Sequence, residues 1–197
     1  MAMNIVKKSS QGFQLLELEA LLASGRVIEV YGEIDNDLAM NCVRQMLYYA
    51  SEDKFTPVKI LINTPGGSMD AGMLIYDVLQ TSEVPFDVYC TGAAYSMGAL
   101  LFATAPRGHR FILPHSKVMI HEPLVASNVV GKTSSVQDLA DSLLATQERI
   151  VDLLAASTEQ PKETLRKLMK KDTYFSAREA VDFGLADEIC DFSKIAG

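Results

Sequence analysis

Val58-Lys-Ile-Leu-Ile-Asn-Thr-Pro-Gly-Gly-Ser68 combines a strand pattern, a turn and a helix start in one short segment. Residues 58–62 are aliphatic apart from Lys59, which is typical of a strand buried inside a parallel sheet. The glycine turn, residues 64–67, is expected to stop this strand, and Ser68 can cap a helix that continues to about Leu79. The segment therefore predicts a strand, a turn and a helix, which is the first part of a βαβ unit.

Strand and helix patterns alternate on both sides of this unit. Predicted strands cover residues 26–31, 86–90, 111–112 and 117–120, and predicted helices cover residues 12–24, 36–51, 96–103 and 133–157, followed by one with Pro161 in its first turn and one from Ser176 to Gly184. Such alternation favours an α/β fold with a parallel sheet and right-handed crossovers. No repeat or linker divides the 197 residues, so we expect one domain with a late helical appendage.

Composition excludes several classes of partner. The formal net charge is −7 and the longest basic run is Lys170-Lys171, which argues against nucleic acid, because phosphate binding needs clustered Lys and Arg. The leucine-rich start is interrupted by Glu17 and Glu19, and the uncharged segment between Asp87 and Arg107 is rich in small residues, so no signal peptide or membrane span is expected.

The three cysteines predict neither a disulfide nor a zinc site. Cys42, Cys90 and Cys190 are widely spaced and form no Cys-x-x-Cys pair. Cys42 and Cys90 lie in apolar patterns, where a free cysteine behaves as a small core residue. A reducing cytoplasm is the expected location.

The sharpest chemical pattern is the nucleophile turn, residues 94–98, which reads Ala-Tyr-Ser-Met-Gly. It is similar to the Gly-x-Ser-x-Gly elbow of serine hydrolases, with Ala94 in place of the first glycine. The N–H of Met97 would lie in the first turn of the following helix, where free amides and the helix dipole favour an oxyanion. The alternative is that Ser96 is only a helix cap.

The glycine turn supplies a second candidate donor and leaves a second alternative open. Two glycines let the backbone approach a ligand closely, so the N–H of Gly67 could donate to the same oxyanion. A turn without any ligand is the alternative. Neither phosphate-binding fingerprint, G-x-G-x-x-G or G-x-x-x-x-G-K-[ST], occurs here.

Three histidines are candidates for the base that a serine nucleophile needs. His109 and His115 lie in polar turns, whereas His121 ends the apolar strand pattern of residues 117–120. A strand end commonly presents a side chain to a cleft, but a structural histidine fits the same pattern. The orienting carboxylate of a triad cannot be chosen by pattern, because aspartate occurs throughout the chain.

The sequence resembles the proteolytic subunit of the Clp ATP-dependent protease (ClpP) over about residues 32–189. The matching segments are Ile62-Asn-Thr-Pro-Gly-Gly-Ser68, Ala71-Gly72 with Ile75-Tyr-Asp77, Ala94-Tyr-Ser-Met-Gly-Ala-Leu-Leu101, Met119-Ile-His-Glu-Pro123, and Asp172 with Ser176-Ala177, Glu179-Ala180 and Phe183-Gly-Leu185. The resemblance implies that Ser96 is the nucleophile, His121 the base and Asp172 the residue that orients His121. It also implies an oxyanion hole formed by the N–H groups of Gly67 and Met97.

The same resemblance implies the architecture and the partners. It predicts a ClpP/crotonase-like fold of stacked βαβ units with a helix-and-strand handle at about residues 124–157. Residues 1–24 would form an N-terminal segment with an axial loop and a first helix, and residues 25–197 one peptidase domain. Two stacked heptameric rings would enclose the sites. A Clp-family AAA+ unfoldase of the ClpX, ClpA or ClpC type would use ATP to deliver unfolded proteins, so the subunit itself would need no cofactor or metal.

Departures from the family pattern keep two alternatives open. Tyr95 stands where alanine is usual, Glu122 where glutamine is usual, and residues 124–132, ending in Lys132, replace a glycine-rich strand. One alternative is therefore a catalytically weak assembly subunit that acts only beside a ClpP paralogue. The other is a crotonase-type acyl-CoA enzyme, which would share the fold and a two-amide oxyanion hole but not a Ser-His-Asp set.

Overall fold

The computed structural model describes residues 4–9, 12–124 and 132–196. Its strands are β1 (Asn4–Ser9), β2 (Gly12–Glu17), β3 (Val27–Ile34), β4 (Val58–Gly67), β5 (Phe86–Tyr95), β6 (Arg110–Ile112), β7 (Lys117–Ile120), β8 (Thr173–Ser176) and β9 (Glu188–Ile189). Its helices are α1 (Leu18–Ser24), α2 (Asn36–Glu52), α3 (Met69–Thr81), α4 (Met97–Ala103), α5 (Thr133–Thr158), α6 (Lys162–Met169), α7 (Ala177–Phe183) and α8 (Phe192–Ala196).

Among the described residues, a seven-stranded sheet forms the centre of the fold. The strands β3, β4, β5, β6 and β9 lie side by side in that order and pair in parallel. The long strand β5 pairs with β6 through residues 88–90 and with β7 through residues 93–95, and β8 adds to β7 antiparallel. This arrangement confirms the predicted α/β class with a parallel sheet, and it brings the ends of β4, β5 and β7 together.

Helices cover the central strands and bury the core. Every residue of α4 is buried, and α2 and α3 each bury one apolar face against the sheet. The predicted caps form as expected, because the Ser68 side chain accepts from the Ala71 N–H and Ser176 forms a capping box with Glu179. Gly184 ends α7 with a φ of 90°.

The N-terminal part of the predicted helix over residues 12–24 was wrong. Residues Gly12–Glu17 form β2, which pairs with β1 in an antiparallel hairpin, and the helix begins only at Leu18. Phe13 and Leu15 are strongly exposed and are two residues apart. This spacing places them on one face of a strand, whereas the sequence interpretation had assigned them to a helix face.

Three predicted strands end later than expected, and the first of them, β3, continues past Tyr31 to Ile34. β4 continues from Ile62 to Gly67 because Gly66 and Gly67 pair with the neighbouring strand β3, and β5 likewise continues from Cys90 to Tyr95. The short elements β8, β9 and α8 were not predicted. The expected long helix over residues 133–157 is confirmed as α5, whereas the expected handle strand falls largely on residues 125–131, outside the described residues.

Two further expectations concern membranes and cysteines. None of the helices that the structure describes is long and apolar enough to cross a bilayer. All three cysteines are free and buried, which confirms Cys42 and Cys90 as core residues. Burial raises the pKa of these two thiols to about 11, so neither is ionised to a reactive thiolate near neutral pH.

Candidate active site

Ser96 lies at a sharp turn between β5 and α4. Its φ of 53° and ψ of −118° are unusual for a residue with a Cβ, and such strained conformations cluster at functional sites. The turn is held on one side by the Ser96 N–H, which donates to the Met119 carbonyl at 2.9 Å. The Ser96 side chain makes no helix-capping hydrogen bond. The structure therefore does not support the alternative in which Ser96 is merely a cap.

His121 is brought to Ser96 by the pairing of β5 with β7. Tyr95 pairs with Met119, so the residues that follow these two strands lie side by side. The His121 Nε2 atom lies 2.8 Å from the Ser96 Oγ atom, which is hydrogen-bond distance. The His121 side chain is only 13% exposed, so little water competes for this contact.

Asp172 lies on the other side of the imidazole. Its Oδ1 atom is 3.2 Å from the His121 Nδ1 atom, and its side chain is 58% exposed. The segment before β8 is fixed by two hydrogen bonds: the Glu122 N–H donates to the Met169 carbonyl, and the Thr173 hydroxyl donates to the Leu168 carbonyl. With Asp172 accepting from Nδ1–H, the Nε2 atom is free to accept the Ser96 hydroxyl proton.

The two other histidines lie away from this cluster. His109 Nδ1 lies 2.7 Å from the Asp87 carboxylate at the start of β5, whereas Ser96 follows the end of this strand. A ten-residue strand spans about 33 Å, so His109 cannot reach Ser96. His115 is exposed in the loop between β6 and β7.

The glycine turn packs directly on the nucleophile turn. A Cβ atom on Gly66 would lie 2.8 Å from the Ser96 Cβ and 3.2 Å from the Met97 nitrogen, and the φ of Gly66 is 101°. A Cβ on Gly67 would lie 2.3 Å from the Ile34 carbonyl oxygen. Only glycine fits at both positions, and the two predicted oxyanion donors, Gly67 and Met97, belong to these two adjoining turns.

A small apolar pocket, with a cavity volume of about 20 Å³, lies beside Ser96 and His121. Apart from these two residues its lining is aliphatic or thioether, and the residues are Met69, Met97, Leu100, Ile120, Pro123, Ile150, Leu154 and Met169. The lining therefore favours an apolar group over a charged one next to the serine hydroxyl. In the part of the chain that the structure describes, no group of three or more His, Cys, Asp or Glu residues is arranged to hold a metal ion.

One buried polar residue near the site was missed by the sequence interpretation. Thr64, the first residue of the glycine turn, is 1% exposed, and its Oγ atom accepts from the Gly66 N–H at 3.0 Å. A Thr followed by Pro-Gly-Gly is the available signal, because threonine side chains commonly accept from the N–H two residues later.

Comparisons with known proteins identify the family of this chain. The model of the Clp protease family matches residues 10–193. The chain is 32% identical over 190 residues to an ATP-dependent Clp protease proteolytic subunit 1 of Chlamydia felis, covering 96% of this chain and 93% of the relative. It is 33% identical over 190 residues to a proteolytic subunit 2 of Chlamydia muridarum, again covering 96% of this chain and 93% of the relative.

A third relative, the proteolytic subunit 2 of Chlamydia abortus, is 32% identical over 190 residues, which cover 96% of this chain and 92% of the relative. Both the family match and the relatives therefore extend over nearly the whole chain. The resemblance noted from the sequence motifs is confirmed, and this chain belongs to the Clp protease family.

Proposed function

We propose that this chain is a serine endopeptidase subunit in which Ser96, His121 and Asp172 act as a catalytic triad. The Ser96 Oγ attacks the scissile carbonyl carbon while His121 Nε2 takes the hydroxyl proton. The observation that carries this proposal is the 2.8 Å contact between these two atoms at a strained strand-to-helix turn. Asp172 stabilises the imidazolium that forms.

Collapse of the tetrahedral intermediate completes acyl transfer. His121 returns its proton to the leaving amine, the C–N bond breaks, and an acyl ester remains on Ser96. Water then attacks this ester with His121 again as the base, which releases the acid product and restores the serine.

We further propose that the N–H groups of Gly67 and Met97 stabilise the oxyanion of both intermediates. Support comes from the close packing of the glycine turn on the nucleophile turn and from the position of Met97 at the start of α4. One such donor typically contributes on the order of 3 kcal/mol to transition-state stabilisation.

The apolar pocket favours a substrate with an apolar side chain next to the scissile bond. Burying such a side chain contributes about 25 cal/mol per Å² of apolar surface, and the pocket offers no charged partner for an ionic one. The required substrate is an extended, unfolded chain, since the reacting carbonyl must reach the Ser96 hydroxyl. Neither a cofactor nor a metal is needed for these steps.

Assembly and ATP dependence are proposed from the family. The relatives are proteolytic subunits of an ATP-dependent Clp protease, so we propose two stacked heptameric rings, fed by an AAA+ unfoldase of the ClpX, ClpA or ClpC type in the cytoplasm. Ring pairing through α5 would use Val136 and Leu144, which are 43% and 60% exposed. Helical spacing suggests Leu139, Leu143 and Ile150 for this role. Ile150 is instead buried in its own subunit and lines the apolar pocket, and Leu139 and Leu143 are half-buried.

Turnover of a short fluorogenic peptide by the purified chain tests this proposal. We expect hydrolysis without ATP, none by Ser96→Ala, and degradation of folded proteins only with an added unfoldase and ATP. Activity that appears only beside a second ClpP paralogue would instead support the assembly-subunit alternative. Undiminished hydrolysis by Ser96→Ala would contradict the assignment of the nucleophile.

A further inference from the structure

Thr64, the buried first residue of the glycine turn, lies between β3 and α4, and the mechanism above does not use it. Its hydroxyl donates to the Gly32 carbonyl at 2.5 Å and accepts from the Gly66 N–H at 3.0 Å. A hydroxyl has one hydrogen, so the Gly66 carbonyl, 3.3 Å away, is the more distant of its two possible acceptors. One hydroxyl thus connects β3 to the glycine turn.

The methyl group of the Thr64 side chain contacts α4, the helix that follows Ser96. A Cβ atom on Gly98 would lie 2.3 Å from the Thr64 Cγ2 atom, so α4 packs against this methyl with no space left. The glycine turn itself contacts the nucleophile turn, because Gly66 packs on Ser96 and Met97. The Thr64 side chain therefore contacts both elements that contain the proposed oxyanion donors.

From these contacts we propose that Thr64 is a positioning residue that sets the spacing between the two oxyanion-binding amides. Its hydroxyl fixes the glycine turn, whereas its methyl group only fills the contact with α4, a helix that is also held in place by the burial of all its residues. This inference rests on the proposed peptidase function. It follows because the two amides come from separate elements, and a displacement of about 1 Å between reacting groups can cost about 10²-fold in rate.

Two substitutions separate the hydroxyl from the methyl group. Thr64→Val keeps the branched shape but leaves the Gly66 N–H and the Gly32 carbonyl without their partner. We expect kcat to fall about 10- to 100-fold while KM stays within about threefold. Thr64→Ser keeps the hydroxyl, and its kcat should remain within about threefold of the wild-type value.

Inhibitor binding separates positioning from a general loss of stability. A peptide aldehyde forms a tetrahedral adduct with the serine, so its Ki should rise in Thr64→Val by the same factor as kcat/KM falls. Binding of the product peptide from the leaving-amine side, whose cleaved end brings no carbonyl or carboxylate oxygen to these amides, should stay unchanged. A merely structural role would not produce this difference.

Thr158 offers a matched control. It is 5% exposed, and its hydroxyl also donates to a backbone carbonyl, that of Leu154 at 2.6 Å, and accepts from a backbone N–H, that of Gln160 at 3.3 Å. Thr158→Val should lower the melting temperature about as much as Thr64→Val but leave kcat and the aldehyde Ki within about twofold.

The assembled, purified full chain is used throughout, with circular dichroism and light scattering as checks. If Thr64→Val fails to assemble, Thr64→Cys takes its place, because a thiol is only a weak donor and acceptor. The inference would be overturned if kcat were equal in Thr64→Ser and in the variant without a hydroxyl, Thr64→Val or Thr64→Cys. It would also be overturned if the variant without a hydroxyl had the wild-type aldehyde Ki. A wild-type chain without peptidase activity would overturn the proposed function itself.

Discussion

Replacing Gly72 with alanine should reshape the apolar pocket beside Ser96. Gly72 lies on α3, and a Cβ atom there would be 2.2 Å from the Met97 Cγ and 2.7 Å from its Sδ and Cε. To restore ordinary contact at 3.4 Å, the Met97 Cγ must move by about 1.2 Å, the difference between 3.4 and 2.2 Å. The Met97 side chain lines the pocket, so we expect this movement to narrow it.

The magnitude follows from two opposing effects. Overpacking costs about 1–3 kcal/mol, and the better helix propensity of alanine offsets about 1 kcal/mol, so Gly72→Ala should lose about 0–2 kcal/mol of unfolding free energy. The effect of Gly72→Ala on substrate selectivity should be larger than its effect on stability. We expect kcat/KM for a peptide cleaved after leucine to fall about 10-fold relative to one cleaved after alanine.

A double mutant provides the control. In a Met97→Ala background the clashing atoms are absent, so the added methyl group should cost about 1 kcal/mol less than in the wild type. Urea unfolding measures the stability, and paired peptide assays measure the selectivity. An unchanged leucine-to-alanine preference in Gly72→Ala would refute the assignment of this pocket as the side-chain site.

Three further predictions concern the triad, the core and the assembly. His121→Ala should lose about as much kcat as Ser96→Ala, and the double mutant should be no worse, since residues that act as a unit are not additive; a much slower double mutant in single-turnover assays would contradict this. Asp187→Ala should cost about 3–5 kcal/mol in urea unfolding, because it leaves Arg110, whose side chain is 4% exposed, charged and without its carboxylate partner; a loss below 1 kcal/mol would count against it. Burial raises the pKa of Asp187, but hydrogen bonds and charge from Arg110 outweigh this effect and lower the pKa overall. The stability that ionised Asp187 contributes should therefore be complete above about pH 4 and vanish as the pH falls through the lowered folded-state pKa, and Asp187→Ala should lack this pH dependence. Leu144→Asp should split paired rings while high salt leaves wild-type rings paired in light scattering, because the α5 residues proposed for ring pairing, Val136 and Leu144, are apolar and exposed; salt-driven dissociation would indicate ionic pairing.

The sequence could predict those elements whose signals are local. The strand, turn and helix around the glycine turn follow from short-range patterns, and the Ser176 capping box needs only its own four residues. By contrast, β8 has just four residues and is defined by pairing with β7, more than fifty residues earlier in the chain. The final residues of β4 and β5 likewise depend on partner strands, which a glycine-rich sequence does not reveal.

The residues of the candidate site also divide into those with a local sequence signal and those without one. Ser96 and His121 could be proposed from a turn motif and a strand end, although each had a structural alternative. Asp172 came only from the family resemblance, because it lies 51 residues from His121 in sequence and is exposed at a loop. The role of Thr64 could not be predicted, since it depends on simultaneous contact with Gly32 and Gly98, which belong to other elements.

The central claim is that His121 activates Ser96 as the nucleophile. Intact-mass spectrometry after treatment with a fluorophosphonate tests it most directly, with peptide mapping to locate the adduct and with Ser96→Ala and His121→Ala in parallel. The account predicts one adduct per wild-type chain on Ser96, no adduct in Ser96→Ala, and labelling slowed at least about 100-fold in His121→Ala. Unlabelled wild-type chain, an adduct on another residue, or equally fast labelling without His121 would contradict it.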